Sequence, residues 1–162
     1  MSQASCHRQH LQAEPRLREL ADRIREADAV TPELLSDIMR GACWRLPNIP
    51  RTEYPLQIRR LIQAGAWTDA ALALVELELP QWQIRRISYD AGEWHCALSR
   101  QRELPDWLDQ SIEACHADLS LAILCAFVDV QRISTRPAKT SVPSASRADE
   151  ALYVRLCCDN FA

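Results

Sequence analysis

The sequence predicts an α+β fold that is mostly helical, with one central β-hairpin packed against helices, an N-terminal helical arm and a linked C-terminal tail. Three observations predict it. Apolar residues recur at helical spacing over most of the chain, one segment after Pro80 is instead rich in β-forming residues, and residues 134–148 carry Ser, Thr and Pro without aromatics. The length of 162 residues fits one domain with attached arms, and the apolar fraction of 48% is ordinary for a globular protein.

The N-terminal part of the chain divides at Pro15. Residues 1–14 are polar and predict a flexible N-terminus. Residues 15–46 predict the helical arm, since apolar side chains recur there at spacings of three and four residues. Thr31 is the predicted N-cap of the second helix in this arm, because Pro32 follows it at the first helical position.

Residues 54–133 predict the compact domain, in the order helix, helix, hairpin, helix, helix. The first of these helices covers about 55–64 and ends near Gly65. Thr68 is the predicted N-cap of the second, which stops before Pro80.

The hairpin is predicted from two β-rich runs, Trp82–Tyr89 and Glu93–Leu98, joined by the turn sequence Asp90-Ala91-Gly92. The first run alternates imperfectly, which predicts either a bulge or a strand packed on both faces. The second run alternates cleanly and places three side chains on one face: Trp94, Cys96 and Leu98.

Two helices are predicted after the hairpin. A short one runs from Pro105 to about Ala114, and a longer one begins after the predicted N-cap Asp118 and ends near Ile133. The longer helix is apolar almost all round, so we expect it at the centre of the fold. An isolated hairpin is marginal, and it should pack against this helix and against the helix over 69–79.

The end of the chain predicts a linker over 134–148 and a docking motif over 149–162. An apolar tail after a linker is expected to dock on its own domain or on a partner. The partner-binding candidates in this motif are Tyr153, Leu156, Cys157, Cys158 and Phe161.

Four segments of the chain carry a resemblance to known sequences: Glu53–Arg60, Ala66–Leu74, Gly92–Ser99 and Leu104–Asp109. Through them, residues 54–132 resemble a family of small alphaproteobacterial proteins to which no activity is assigned, and the C-terminal Cys157–Phe161 also fits this family. The resemblance implies an intracellular bacterial setting, and it supplies no catalytic residues to carry over to this chain.

The net charge of −3 disfavours a protein whose whole surface binds nucleic acid. A local nucleic-acid site remains an alternative, because arginines beside aromatic residues bind single strands through phosphate charge and base stacking. The simpler interpretation is that the tryptophans anchor the core and the arginines are solvated. The candidates for this site are Arg59, Arg60, Arg85, Arg86, Trp82 and Trp94.

Adjacent Cys and His residues suggest a metal or thiol site, since thiolate and imidazole suit Zn²⁺. The sequence has no C-x₂-C knuckle, and neighbours on a strand point to opposite faces, so no metal or other cofactor is predicted. The candidates for this alternative are His95, Cys96, Cys115 and His116.

The sequence does not predict an enzyme. Cys115, His116 and Asp118 have the residue types of a nucleophilic site, but they are neighbours at a helix boundary. With three glycines the chain has no Gly-rich phosphate loop. An acidic group is placed on the short predicted helix, where it offsets the helix dipole: Glu103, Asp106, Asp109 and Glu113.

A cytoplasmic location is expected, because the N-terminus has no apolar signal region and the seven cysteines form no closed disulfide set. The longest apolar run, Leu119–Val130, is shorter than the about 20 residues that span a bilayer, so no membrane association is expected. The predicted function is a small non-enzymatic protein-interaction or regulatory module. Its partner is expected to be an unidentified protein or a second copy of the chain.

Overall fold

The fold is α+β and mostly helical, as predicted, but its sheet has three strands. The computed structural model describes residues 3–46, 53–100 and 111–135, with side chains described from 13, 56 and 111 onward in these ranges. The elements are α1 (Gln3–Arg25), α2 (Pro32–Ala42), α3 (Glu53–Gln63), α4 (Trp67–Glu78), β1 (Gln83–Asp90), β2 (Glu93–Ser99), β3 (Ile112–His116) and α5 (Leu119–Thr135).

Helix α5 forms the centre of the fold, which confirms the prediction from its apolar sequence. Its side chains from Ser120 to Val128 are all buried, and α1, α2, α4, β2 and β3 pack around it. Asp118 caps the helix as predicted, since its Oδ1 accepts the backbone N–H of Leu121 at 3.0 Å.

The two N-terminal helices share one hydrophobic core with α5. Leu17 and Ile24 of α1 and Leu35 of α2 are fully buried in the same cluster as the α5 side chains. The cluster therefore continues across the boundary drawn above between the N-terminal arm and the compact domain. Thr31 caps α2 as predicted, accepting the N–H of Leu34 at 3.2 Å.

Two predicted helix starts are wrong. Helix α1 begins at Gln3 rather than at Pro15. The prediction missed the first part of the helix because the polar residues before the proline show no apolar periodicity. Helix α4 begins at Trp67, with Ala66 at the N-cap, so Thr68 lies in the first turn. The hydroxyl of Thr68 instead shares a 2.9 Å hydrogen bond with that of Ser120, which joins α4 to α5.

The sheet is antiparallel in the order β1–β2–β3, and β1 pairs with β2 as the predicted hairpin. The predicted irregularity in β1 is a bulge, because the pairing register shifts between Ile84 and Arg86. The predicted helix from Pro105 to Ala114 is wrong at its end, where residues 112–114 belong to β3. Residues 105–110 lie outside the described residues.

The sheet has two chemically distinct faces. The inner face packs on α5 and carries Ile87, Tyr89, Trp94, Cys96, Leu98, Ile112, Ala114 and His116. The outer face carries Arg86, Ser88, Asp90, Glu93, His95, Ala97, Glu113 and Cys115.

A buried carboxylate joins α4 to the segment after α2. Glu78 is buried and accepts three successive backbone N–H groups: that of Trp44 at 2.9 Å, that of Arg45 at 2.9 Å and that of Leu46 at 2.6 Å. Backbone donors satisfy the carboxylate that burial removes from water. Burial, and then the charge of Glu78, raises the pKa of the neighbouring Cys43 thiol.

Candidate functional site

The outer face of the sheet holds an ion pair that spans three strands. Arg86, Ala97 and Glu113 are opposite one another on β1, β2 and β3. Because the alanine side chain is small, the guanidinium of Arg86 reaches across it, and its Nη2 donates to both carboxylate oxygens of Glu113 at 3.1 and 3.3 Å. The two edges of the sheet are thereby linked on this face.

Glu113 also faces a histidine. Nδ1 of His95 lies 3.3 Å from Oε1 of Glu113, so one carboxylate serves both Arg86 and His95. Glu113 was expected on a helix, and its place in β3 is what brings it to these partners. The sequence could have indicated this position of Glu113 only if the alternating run Ile112–His116 had been interpreted as a strand.

Cys115 lies opposite His95 on the outer face, yet its environment does not activate it. Burial, a hydrogen bond to Glu93 and the charges of Glu93 and Glu113 all raise the pKa of the Cys115 thiol. Since the thiolate is the nucleophilic form, this raised pKa disfavours nucleophilic chemistry at Cys115.

The four metal candidates do not converge. His95 and Cys115 lie on the outer face, whereas Cys96 and His116 lie on the inner face. Nδ1 of His116 accepts the backbone N–H of Asp118 at 3.0 Å, so this ring is engaged in the turn before α5. Within residues 3–46, 53–100 and 111–135, no group of three or more His, Cys, Asp or Glu is placed to hold a metal ion.

Two cysteines are core residues. Cys96 on β2 and Cys125 on α5 are buried in the hydrophobic cluster. Burial raises the pKa of Cys96 to about 11 and that of Cys125 to about 12. Both therefore behave as small apolar side chains at neutral pH.

The nucleic-acid candidates are spread over several surfaces. Arg59 and Arg60 are exposed on α3, away from the sheet strands. Trp82 is buried, with the guanidinium of Arg100 4.9 Å from its ring centroid. Trp94 lies on the inner face and Arg86 on the outer face. Arg85 lies at the bulge. The six residues therefore do not form one surface on which bases could stack and phosphates could bind.

At β1 the inner face of the sheet has an apolar surface that is left partly exposed. We call this surface the edge patch and define it as Ile87, Tyr89 and Trp94. The contacts of α5 with the sheet fall mainly on β2 and β3. On β1 the side chain of Ile87 is 38% exposed and that of Tyr89 is 60% exposed. The Tyr89 ring packs on Trp94 with centroids 5.1 Å apart. The sequence analysis did not identify this face of β1 as exposed.

The predicted C-terminal binding residues lie outside the described residues. This applies to the linker over 134–148 and the motif over 149–162, so tail docking stays a prediction. It also applies to Glu103, Asp106 and Asp109.

No family model, curated protein or solved structure matches this chain. The resemblance to small alphaproteobacterial proteins therefore stays a prediction. Within the part of the chain that the structure describes, no helix combines the length and the apolar character needed to cross a membrane.

Proposed function

We propose that this chain is a non-enzymatic protein-interaction module that binds its partner along β1. The observation that carries the proposal is the edge patch, in which Ile87 and Tyr89 are exposed on a strand at the edge of the sheet. An edge strand offers backbone N–H and C=O groups on its open side, and a partner strand binds them while its side chains cover the apolar ones.

The chemistry of the edge patch suits a binding site. Tyrosine is enriched among residues that dominate binding energy, because its ring is rigid, large and polar at one end. Trp94 is half-buried, and the Tyr89 ring packs against it. A partner would therefore meet a preorganised surface, which reduces the entropy lost on binding.

The outer face supports a non-enzymatic role. Its carboxylate Glu113 is engaged with Arg86 and His95, and the pKa of its thiol Cys115 is raised. Such groups stabilise a sheet rather than attack a substrate.

Site-specific photo-crosslinking in cells tests the proposal. A photoreactive amino acid replaces Tyr89 in one variant and Leu56 in a control, since Leu56 is 52% exposed on α3 and lies off the sheet. We expect a discrete protein adduct at position 89 that is absent at position 56. Identical adducts at both positions, or no adduct at position 89 with the protein folded, would contradict the proposal.

A further inference from the structure

The exposed part of β1 is symmetric about Ser88. A bulge at Arg85 interrupts the strand on one side, and the turn after Asp90 ends it on the other. The regular segment between them runs from Arg86 to Asp90 and has Ser88 at its centre. On the outer face Arg86 and Asp90 flank Ser88, and on the inner face Ile87 and Tyr89 flank it.

We propose that β1 pairs antiparallel with β1 of a second copy of this chain, with a two-fold axis through Ser88. This inference rests on the proposed function and names its partner. A two-fold axis perpendicular to the sheet keeps each copy's inner face on the same side, so opposite residues share a face. The result is a continuous six-stranded sheet.

The two pairs that flank Ser88 in this register are complementary, and each occurs twice. On the outer face Arg86 lies opposite the second copy's Asp90, which places opposite charges side by side. On the inner face Ile87 lies opposite the second copy's Tyr89, and an aliphatic–aromatic pair covers both exposed side chains. Within the described residues β1 is paired only with β2, and its open side is then hydrogen-bonded to the second copy.

The alternative register has Ile87 on the axis and is less favourable. It sets Arg86 opposite the second copy's Ser88, so Arg86 loses the pairing with Asp90 that the register centred on Ser88 provides. Asp90 then lies opposite the bulge of the second copy, where the pairing is irregular. The pattern of charges therefore selects the register centred on Ser88.

Arg86 can exchange Glu113 for the second copy's Asp90. Its side chain is 60% exposed, so the guanidinium has room to turn from Glu113 on β3 toward the open side of β1. The pair with Asp90 then replaces the pair with Glu113, and the planar fork of N–H donors suits either carboxylate.

A pair of such short strands buries a small area, which is typical of weak interfaces. We expect a concentration-dependent dimer with a dissociation constant in the micromolar range. Analytical ultracentrifugation of the full chain over a concentration series measures it directly.

Charge exchange tests the register. All variants carry Glu113→Gln, so that Glu113 does not repel a new acidic residue at position 86, and this parent should still dimerise. In that background Arg86→Glu and Asp90→Arg should each raise the dissociation constant at least about tenfold, because like charges then meet twice. An equimolar mixture of the two variants should restore the dimer as a heterodimer, seen by native mass spectrometry.

The outcomes separate the two proposals. A heterodimer formed by the mixture supports the register, and it also shows that both variants fold. A mixture that stays monomeric while circular dichroism shows both chains folded overturns it, as does a parent chain that is monomeric throughout. In either of these cases an adduct of position 89 with a different protein would leave the proposed function standing. No adduct of any kind would overturn both.

Discussion

Glu78 is a buried carboxylate whose hydrogen bonds within the described residues are all made to backbone groups. Its two oxygens accept the N–H groups of Trp44, Arg45 and Leu46, so one side chain fixes the backbone that follows α2. Three N–H groups in sequence form a local anion site, and the protein fills it with its own carboxylate.

We expect Glu78→Gln to lower the free energy of unfolding by about 1–3 kcal/mol, because an amide has one acceptor oxygen and presents an NH₂ group to backbone donors. Urea denaturation followed by circular dichroism measures the change. Glu76→Gln is the matched control, since Glu76 is exposed on the same helix. Equal effects of the two substitutions would show that the buried carboxylate has no special role.

Asp37 provides a pH-dependent contact between α1 and α2. A hydrogen bond from Arg23, at 2.8 Å, lowers the pKa of Asp37 below its usual 3.8. A lowered folded-state pKa means that the contact stabilises the fold above the ordinary pKa of an unfolded aspartate. This stabilisation is lost as the pH falls through the lowered value.

We expect Arg23→Gln to shift the Asp37 titration midpoint upward, toward the value of an unfolded aspartate. Carboxyl-carbon NMR over acidic pH measures the midpoint. Arg18→Gln is the control, because Arg18 lies on the same helix but pairs with Glu14, at 3.8 Å. This substitution should leave the Asp37 midpoint unchanged. If Arg23→Gln left the Asp37 midpoint unchanged, the lowered pKa of Asp37 would have to come from another group.

At the scale of elements, the structure confirms two of the three predicted N-caps. Thr31 and Asp118 are caps because each precedes an apolar periodic run. Thr68 has the same signal, but a buried partner on α5 takes its hydroxyl. Strand β3 was missed because a run as short as Ile112–His116 has too few alternations to exclude a helix end, and its pairing with β2 is a long-range contact.

The cap of α5 is open to a direct test. We expect Asp118→Ala to cost about 1 kcal/mol of folding free energy, because the N–H of Leu121 loses its acceptor, whereas Asp118→Asn should cost far less since asparagine caps nearly as well. Thermal denaturation of the two variants compares them. If asparagine were as damaging as alanine, the charge of Asp118 rather than its capping oxygen would be the stabilising feature.

At the scale of the molecule, the sequence predicts the fold class and the central position of α5, since both follow from apolar periodicity. It does not predict the edge patch. Whether Ile87 and Tyr89 are covered depends on how far α5 extends across the sheet, which is set by tertiary packing. The convergence of Arg86, His95 and Glu113 depends equally on the register of a strand that the sequence did not indicate.

Because one hydrophobic cluster includes α1, α2 and α5, we expect the chain to unfold in a single transition. Leu17→Ala should destabilise the sheet together with α1, by about 2–5 kcal/mol, because Leu17 is fully buried. The unfolding midpoint followed by far-UV circular dichroism and that followed by tryptophan fluorescence should then fall by the same amount. Arg18→Ala is the control and should change neither midpoint. Separate transitions would show instead that the N-terminal helices form an independent unit.

The incomplete cover of the sheet by α5 has a consequence for solvent exchange. The backbone of β2 is hydrogen-bonded to β1 on one side and to β3 on the other, whereas within the described residues β1 is hydrogen-bonded only to β2. In the monomeric chain, at concentrations too low for β1 to pair with a second copy, the amide protons of β1 that point away from β2 should therefore exchange with deuterium soon after dilution into heavy water, while those of β2 persist. The sheet thus has a gradient of protection across its width, from a slowly exchanging centre to an edge whose donors are available to water.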